Sequence, residues 1–463
     1  MFSLNYKHIK EELQKAILQS QNNNDTLLFT YTWICENIHP ILFLTNNKAL
    51  FQGKRFFYTN KAQTEFKVGI GHTKVFELHN ESDLSSFQSD LKQLKNYHYN
   101  GGNIKKSPLF FGGLPFFMNE QAAIEWSDFK RGYFVLPFLL LETNETTEYL
   151  TVSKMITPTT TIEEVVAELK EAETSFTLEW NKEQNENIPP IIHKEETPIN
   201  QWQSWVRQVK TGFAMDEVEK VVLARRKHIT YNATIPIEQV IENLLTYQHN
   251  SYVFLFEAGM SAFVGASPEN LIMKKGEMIH TMALAGSVKR GKNIKEDQLL
   301  SQYLLSDEKN LWEHELVVRS IVEVLESFKL EPVYNNRPGI MKMKDIQHLH
   351  TKIEAKNNES SLIEFIQKLH PTPALGGYPK KEACQLIEKI ENYDRGLYAA
   401  PLGWLTLDDE GEFFVSLRSG LIRDKEVYLY AGCGLVQHSD PLLEFDETET
   451  KFKPMLRALG VEV

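Results

Sequence analysis

Residues 398–432, YAAPLGWLTLDDEGEFFVSLRSGLIRDKEVYLYAG, read as consecutive strands, with an obvious hairpin at DDEG. The same reading extends upstream. SYVFLFEAG (251–259) is a strand, and SAFVGASPENLIMKKGEMIHTMALAGSVKRG (261–291) is a set of paired strands. Strands outnumber parallel βαβ units, so the expected fold class is α+β: large antiparallel β-sheets packed together with helices on the outside, and no Rossmann sheet. No internal repeat, P-loop or GxGxxG fingerprint is present, and GKNIKED (291–297) has too few glycines for either motif.

Helical spacing of apolar residues marks the stretches 4–21, 162–176, 199–217, 235–248 and 360–369, and one long helix over KEDQLLSQYLLSDEKNLWEHELVVRSIVEVLES (295–327). Between Thr26 and about Thr151 the pattern is short β-rich runs: TLLFTYTW, ILFLTNN (41–47), RFFYTN, FKVGIGH and RGYFVLPFLLLET. The glycine pair in SPLFFGGLPFF (107–117) reads as a hairpin or bulge. EWNKEQNENIPPIIHKEETPI (179–199) is polar and broken by proline, a linker by composition. It separates a variable, β-rich N-terminal part, 1–190, from a catalytic region, 200–463, the two being expected to form one intertwined domain.

A net charge of −12 argues against nucleic acid or an anionic membrane as partner, so an anionic ligand needs a local basic site. Cys35, Cys384 and Cys433 are too few and too scattered for a disulfide frame or a zinc cluster. The N-terminus lacks a basic-then-apolar signal and no apolar run reaches spanning length. A soluble cytoplasmic protein is expected, as a monomer or weak dimer.

After the strands comes a glycine turn, AGCGLV (431–436), and then HSDPLLEFDETETK (438–451) with Glu444, Asp446, Glu447, Glu449 and Lys451. Preceded by Arg418, this resembles a cation site beside an anion site, and equally a solvated acidic helix start. Lys220 heads a strand, where a lysine is commonly a solvated gatekeeper. As a general base, a lysine must be deprotonated near neutral pH, which takes desolvation and neighbouring charge. Glu269 follows a proline at a strand-to-strand turn. Glu313 could share a divalent cation with Glu444 or Glu447, and carboxylates without a Cys–His set suit Mg²⁺.

Taken together, KVVLAR, GASPENLI, ALAGSVKRG, EHELVV, HLHT, LHPTPALGGYPKKEA, DRGLYAAPLGW, SLRSG, AGCGLV and SDPLLEFDETETK resemble, in order from about Gln201 onward, the chorismate-utilising enzymes. The isochorismate synthases of the menaquinone type are the nearest in wording. The resemblance implies the fold of anthranilate synthase component I and a Mg²⁺-dependent site. Glu313 and Glu447 would bind the metal, with Glu444 as a further ligand or water holder. Arg418, Tyr398, Lys451 and the backbone of Gly432 would hold the enolpyruvyl carboxylate. Gly286 and Ser287 would line the metal-bound end, with His348 close to the ring. Lys220 would activate water and Glu269 would protonate the departing hydroxyl. Asp446 and Glu449 would be ordinary surface charges.

Moving a hydroxyl from C4 to C2 of a cyclohexadiene requires those types, since water is a poor nucleophile and hydroxide a poor leaving group. Relatives that use ammonia typically lack the lysine and work with a glutamine amidotransferase, and the aminodeoxychorismate type carries a lysine where this chain has Ala285. Lys220 therefore points to hydroxyl transfer without an amidotransferase subunit. The alternatives are a salicylate synthase, which goes on to eliminate pyruvate, and a non-catalytic chorismate-binding relative.

Overall fold

A computed structural model describes residues 6–118, 123–176, 187–357 and 359–462. Its strands form one continuous hydrogen-bonded ribbon, antiparallel along the path that reaches the cavity described below. From Lys220–Tyr231 the order runs through Glu426–Leu435, Ser419–Arg423, Ser261–Ser267 and Tyr252–Ala258. There it passes into the N-terminal part, through Arg55–Thr59, Phe66–Glu77, Tyr133–Thr143 and Leu109–Gly113. It then returns through Pro401–Thr406, Gly411–Val415, Asn270–Lys275, Met278–Lys289 and Ile346–Lys356.

Alternation along the strands divides the interior into two cores. In Tyr252–Ala258, Phe254 and Phe256 enter one core, while Val253 and Leu255 enter the other, beside Val240, Ile241 and Leu244 of helix Ile237–Tyr247. The ribbon folds back on itself around the first core, where the rings of Phe254 and Phe414 meet at 5.0 Å and those of Phe111 and Phe256 at 5.2 Å. Burying each such ring contributes about 1.5–3 kcal/mol, which is what holds the two layers together.

Several expectations are corrected. ILFLTNN is a helix, Pro40–Asn46: proline sits at its first position, and a short apolar run does not reveal its period. Helix Asp83–Asn96 stands inside the stretch read as β-rich. The long helix is two, Ile294–Leu304 and Glu308–Ser327, because the Asp307 carboxylate accepts from Asn310 N at 2.9 Å and starts a new helix. Gly112 is a strand residue, where a Cβ would lie 2.1 Å from the Tyr133 carbonyl oxygen, so the glycine pair serves close strand packing and makes no turn. In the linker stretch, Ile191–Glu196 is a strand paired with Lys220–Tyr231, and residues 179–186 lie outside the described residues. Gly432 and Gly434 are also strand residues, in Glu426–Leu435, so AGCGLV is no turn.

Candidate active site

The strand Glu426–Leu435 lies antiparallel to Lys220–Tyr231, with Gly434 opposite Val222 and Gly432 opposite Ala224. Lys220, the first residue of its strand, is almost fully buried and donates to Glu313 Oε1 at 2.7 Å from helix Glu308–Ser327. Gly434 makes this pair possible. A Cβ there would lie 2.8 Å from both Glu313 Oε1 and Lys220 Cε. The missing side chain of this glycine thus makes room for two functional ones.

On the facing wall, Gly286 forms a bulge in Met278–Lys289 with φ of +75°, which places Ser287 opposite His348 of Ile346–Lys356. Ser287 Oγ lies 2.8 Å from His348 Nδ1, and Arg418 Nη2 donates to His348 Nε2 at 3.2 Å. With Nε2 accepting, the proton sits on Nδ1. Burial, then the charges of Arg418 and Lys451, pushes the His348 pKa well below its ordinary value, so the ring is neutral at physiological pH. Arg418 itself has φ of +49°, and its carbonyl accepts from Ala266 N at 3.2 Å. Such a backbone conformation is costly for any residue other than glycine and is held by its surroundings. Burial brings the Arg418 guanidinium down to about 10, still fully charged near neutrality.

The third group comes from helix Pro441–Ala458, capped by Asp440, which accepts from Leu442 N at 2.8 Å. Glu444, Glu447 and Lys451 occupy one face of it at helical spacing. Lys451 Nζ donates to Glu447 Oε1 at 2.7 Å and to the Gly432 carbonyl at 2.9 Å. Burial works against its charge, but Glu447 raises its pKa. Burial, then repulsion from Glu447, raises the pKa of Glu444, while Lys309 Nζ stands 3.2 Å from Glu444 Oε1. Against burial, Lys220 holds Glu313 below the usual carboxylate range.

Glu269 lies between strands Ser261–Ser267 and Asn270–Lys275, 5% exposed. Burial pushes its carboxyl up to about 7, against the charges of Lys61, Lys220, Lys451 and Arg418. Tyr398 is buried too, and burial pushes its phenol up to about 12, so it is a neutral donor.

Lys220, Glu269, Gly286, Ser287, Glu313, His348, Tyr398, Arg418, Gly432, Glu444, Glu447 and Lys451 all line one cavity of about 160 Å³, room for one small molecule. Among the described residues, no group of three or more His, Cys, Asp or Glu side chains is already gathered for a metal ion. The three glutamates each turn to a lysine instead. Their donors are nonetheless hard oxygens around one cavity, with no thiolate or imidazole among them, so the set fits a divalent cation such as Mg²⁺.

Sequence reasoning missed Lys309, whose spacing of four from Glu313 on one helix was the available signal. It also missed Asn310, whose side-chain oxygen accepts from Ser287 N at 3.1 Å. Glu449, expected to be an ordinary surface charge, accepts from Arg225 Nη2 at 2.7 Å and Lys227 at 2.9 Å. Arg225, with no solvent exposure, stacks 3.4 Å over the Phe445 ring and fixes the helix from behind.

Residues 11–460 match the model of a family described as chorismate binding enzyme. Across 98% of both chains, 35% of residues are identical to the isochorismate synthase MenF of Bacillus subtilis (strain 168). The salicylate biosynthesis isochorismate synthase of Pseudomonas aeruginosa is 41% identical over 262 residues, 56% of this chain and 55% of the relative. Among solved structures, MenF, the menaquinone-specific isochorismate synthase from Escherichia coli, superposes with a TM-score of 0.78 over 97% of this chain and 100% of its own, at 22% identity, a likeness of fold.

Proposed function

The chain belongs to the family of chorismate-binding enzymes, and from that premise we propose that it is an isochorismate synthase, adding water at C2 of chorismate and expelling the C4 hydroxyl. The observation that carries this reading is the presence of Lys220 and Glu269 around a single cavity, one a buried lysine placed to act as base and the other a carboxyl shifted to about 7.

The chemistry follows from their charges. As the ring takes up a water oxygen at C2, the ring double bonds shift and the C4 hydroxyl departs. Lys220 takes the proton of the incoming water, and Glu269 gives its proton to the departing oxygen, which leaves as water. General acid and base assistance of this kind contributes about 10²–10⁴-fold per group. To act as base, Lys220 must enter the step as the neutral amine, so it passes a proton to solvent as it leaves Glu313 and then turns its lone pair to the water. Arg418, Lys451 and the Tyr398 hydroxyl offer donors for the enolpyruvyl carboxylate, and neutral His348, held between Ser287 and Arg418, gives the ring an uncharged wall. Glu313, Glu447 and Glu444 would hold Mg²⁺, whose chemistry there is to neutralise and orient the ring carboxylate. The product's use toward menaquinone, a cytoplasmic location, and the joining of 1–190 and 200–463 as one working unit are parts of the same proposal. Among the described residues, no helix is long and apolar enough to cross a membrane.

The test is to incubate the protein with chorismate and Mg²⁺ and follow products. Isochorismate alone is expected. Salicylate with stoichiometric pyruvate would make the protein a salicylate synthase, and binding of chorismate without turnover would make it a non-catalytic relative.

A further inference from the structure

Lys309 has no part in the proton transfers, yet it stands against the carboxylates assigned to the metal. It is the second residue of helix Glu308–Ser327, whose start is fixed by Asp307 accepting from Asn310 N at 2.9 Å and Nδ2 at 2.6 Å. From there its ammonium reaches across to Glu444 on the other helix, at 3.2 Å. The other two cations are part of the cavity wall. Lys220 is buried in a strand, and Lys451 is tied to the Gly432 carbonyl. Lys309 differs in that its side chain is 44% exposed while Glu444's is 6% exposed. A buried carboxylate beside a second carboxylate needs a positive partner, and a half-exposed ammonium can supply the charge and regain water at little cost when displaced.

We infer that Lys309 is a built-in counter-ion that competes with a divalent cation for Glu444 and its neighbours and swings toward solvent when the cation binds. The inference rests on the reading of Glu313, Glu444 and Glu447 as the cation's ligands. Electrostatics agree with it: burial opposes the charge on Lys309, but Glu444, then Glu313 and Glu447, raise its pKa, so one ammonium answers to all three carboxylates. The exchange also accounts for the dispersal of the glutamates, each of which is drawn to a lysine. It sets the metal affinity below what the carboxylates alone would give, and keeps the metal-free protein from carrying an uncompensated buried charge.

The experiment is calorimetric titration of the full chain with MgCl₂ in the absence of substrate, with the Mg²⁺-induced rise in Tm as a second readout. Lys309→Gln should bind Mg²⁺ about tenfold more tightly than the unmodified chain, since a unit positive charge near the site is removed. Its Tm without metal should fall and its Mg²⁺-induced rise should be larger. Lys309→Arg keeps the charge and should stay within about twofold. Lys356→Gln, at an exposed pair with Glu277, should leave the affinity unchanged. Equal or weaker Mg²⁺ binding by Lys309→Gln, with the unmodified chain binding and Glu447→Gln weakened, would overturn the inference alone. If Glu447→Gln binds Mg²⁺ as well as the unmodified chain, the assignment of the glutamates fails, and the inference with it.

Discussion

Two groups of side chains around the cavity are held by different kinds of bond. In one, Ser287, His348 and Arg418 form a chain of hydrogen bonds among buried and half-buried groups, set by a glycine bulge and a strained arginine backbone. In the other, Glu313, Glu444 and Glu447 are held by ion pairs to three lysines. The first arrangement fixes geometry, because each donor and acceptor has one satisfied position. The second fixes only net charge, because one cation can replace another. A dianionic ligand thus meets one rigid group and one exchangeable group, with Glu269 and Lys220, the proposed acid and base, in the same cavity.

The largest expected effects come from removing those two groups, of which Lys220 also holds Glu313 while Glu269 belongs to neither holding device. Lys220→Ala and Glu269→Gln should each lower kcat by about 10²–10⁴-fold while chorismate still binds, measured by calorimetry beside turnover. Unchanged turnover in either would remove that residue from the chemistry. The pH profile carries the same information: Glu269 must be protonated to act, and its pKa is raised, so kcat/KM should fall as pH rises through about 7. A profile flat from pH 6 to 9 would contradict the assignment.

A smaller loss is expected from Gly434→Ala, which disturbs the exchangeable group. The added Cβ forces Lys220 and Glu313 apart, and a displacement near 1 Å should cost on the order of 10²-fold in kcat/KM. Wild-type rates in a folded Gly434→Ala protein would mean that the pair tolerates rearrangement. The mildest effect should come from the rigid group. Ser287→Ala removes one neutral hydrogen bond, worth about 0.5–1.5 kcal/mol, so KM should rise by up to about tenfold with kcat little changed. A drop in kcat alone would move Ser287 from binding to chemistry.

Much of this site was legible because its parts stand in short motifs whose order survives in the chain, from Lys220 to Lys451. The antiparallel strands were legible for a similar reason, since DDEG and the turn at Gly276 are local hairpin signals. What stayed hidden depended on contacts between distant segments. Gly434 resembles a turn glycine until Glu313 arrives from another helix to fill the space above it. Glu449 resembles a surface charge until Arg225 is known to lie behind it. Pro40–Asn46 was misread because its apolar residues, Ile41, Phe43 and Leu44, are too few to display a period, and tertiary packing decides its form. The break at Asp307 had a local signal, an aspartate three residues before Asn310, but the apolar face on both sides of it suggested one helix.

The path of the ribbon has a consequence for how the chain is made. Arg55–Thr59 and Leu109–Gly113 are synthesised early, yet they pair with Tyr252–Ala258 and Pro401–Thr406, which emerge long afterwards. Until then the early strands present open edges, the condition under which chains pair wrongly with one another. Contacts so distant in sequence also make folding slow. The cavity walls are therefore completed only when these later strands arrive, and the helix that brings Glu444 and Glu447 follows them in the chain.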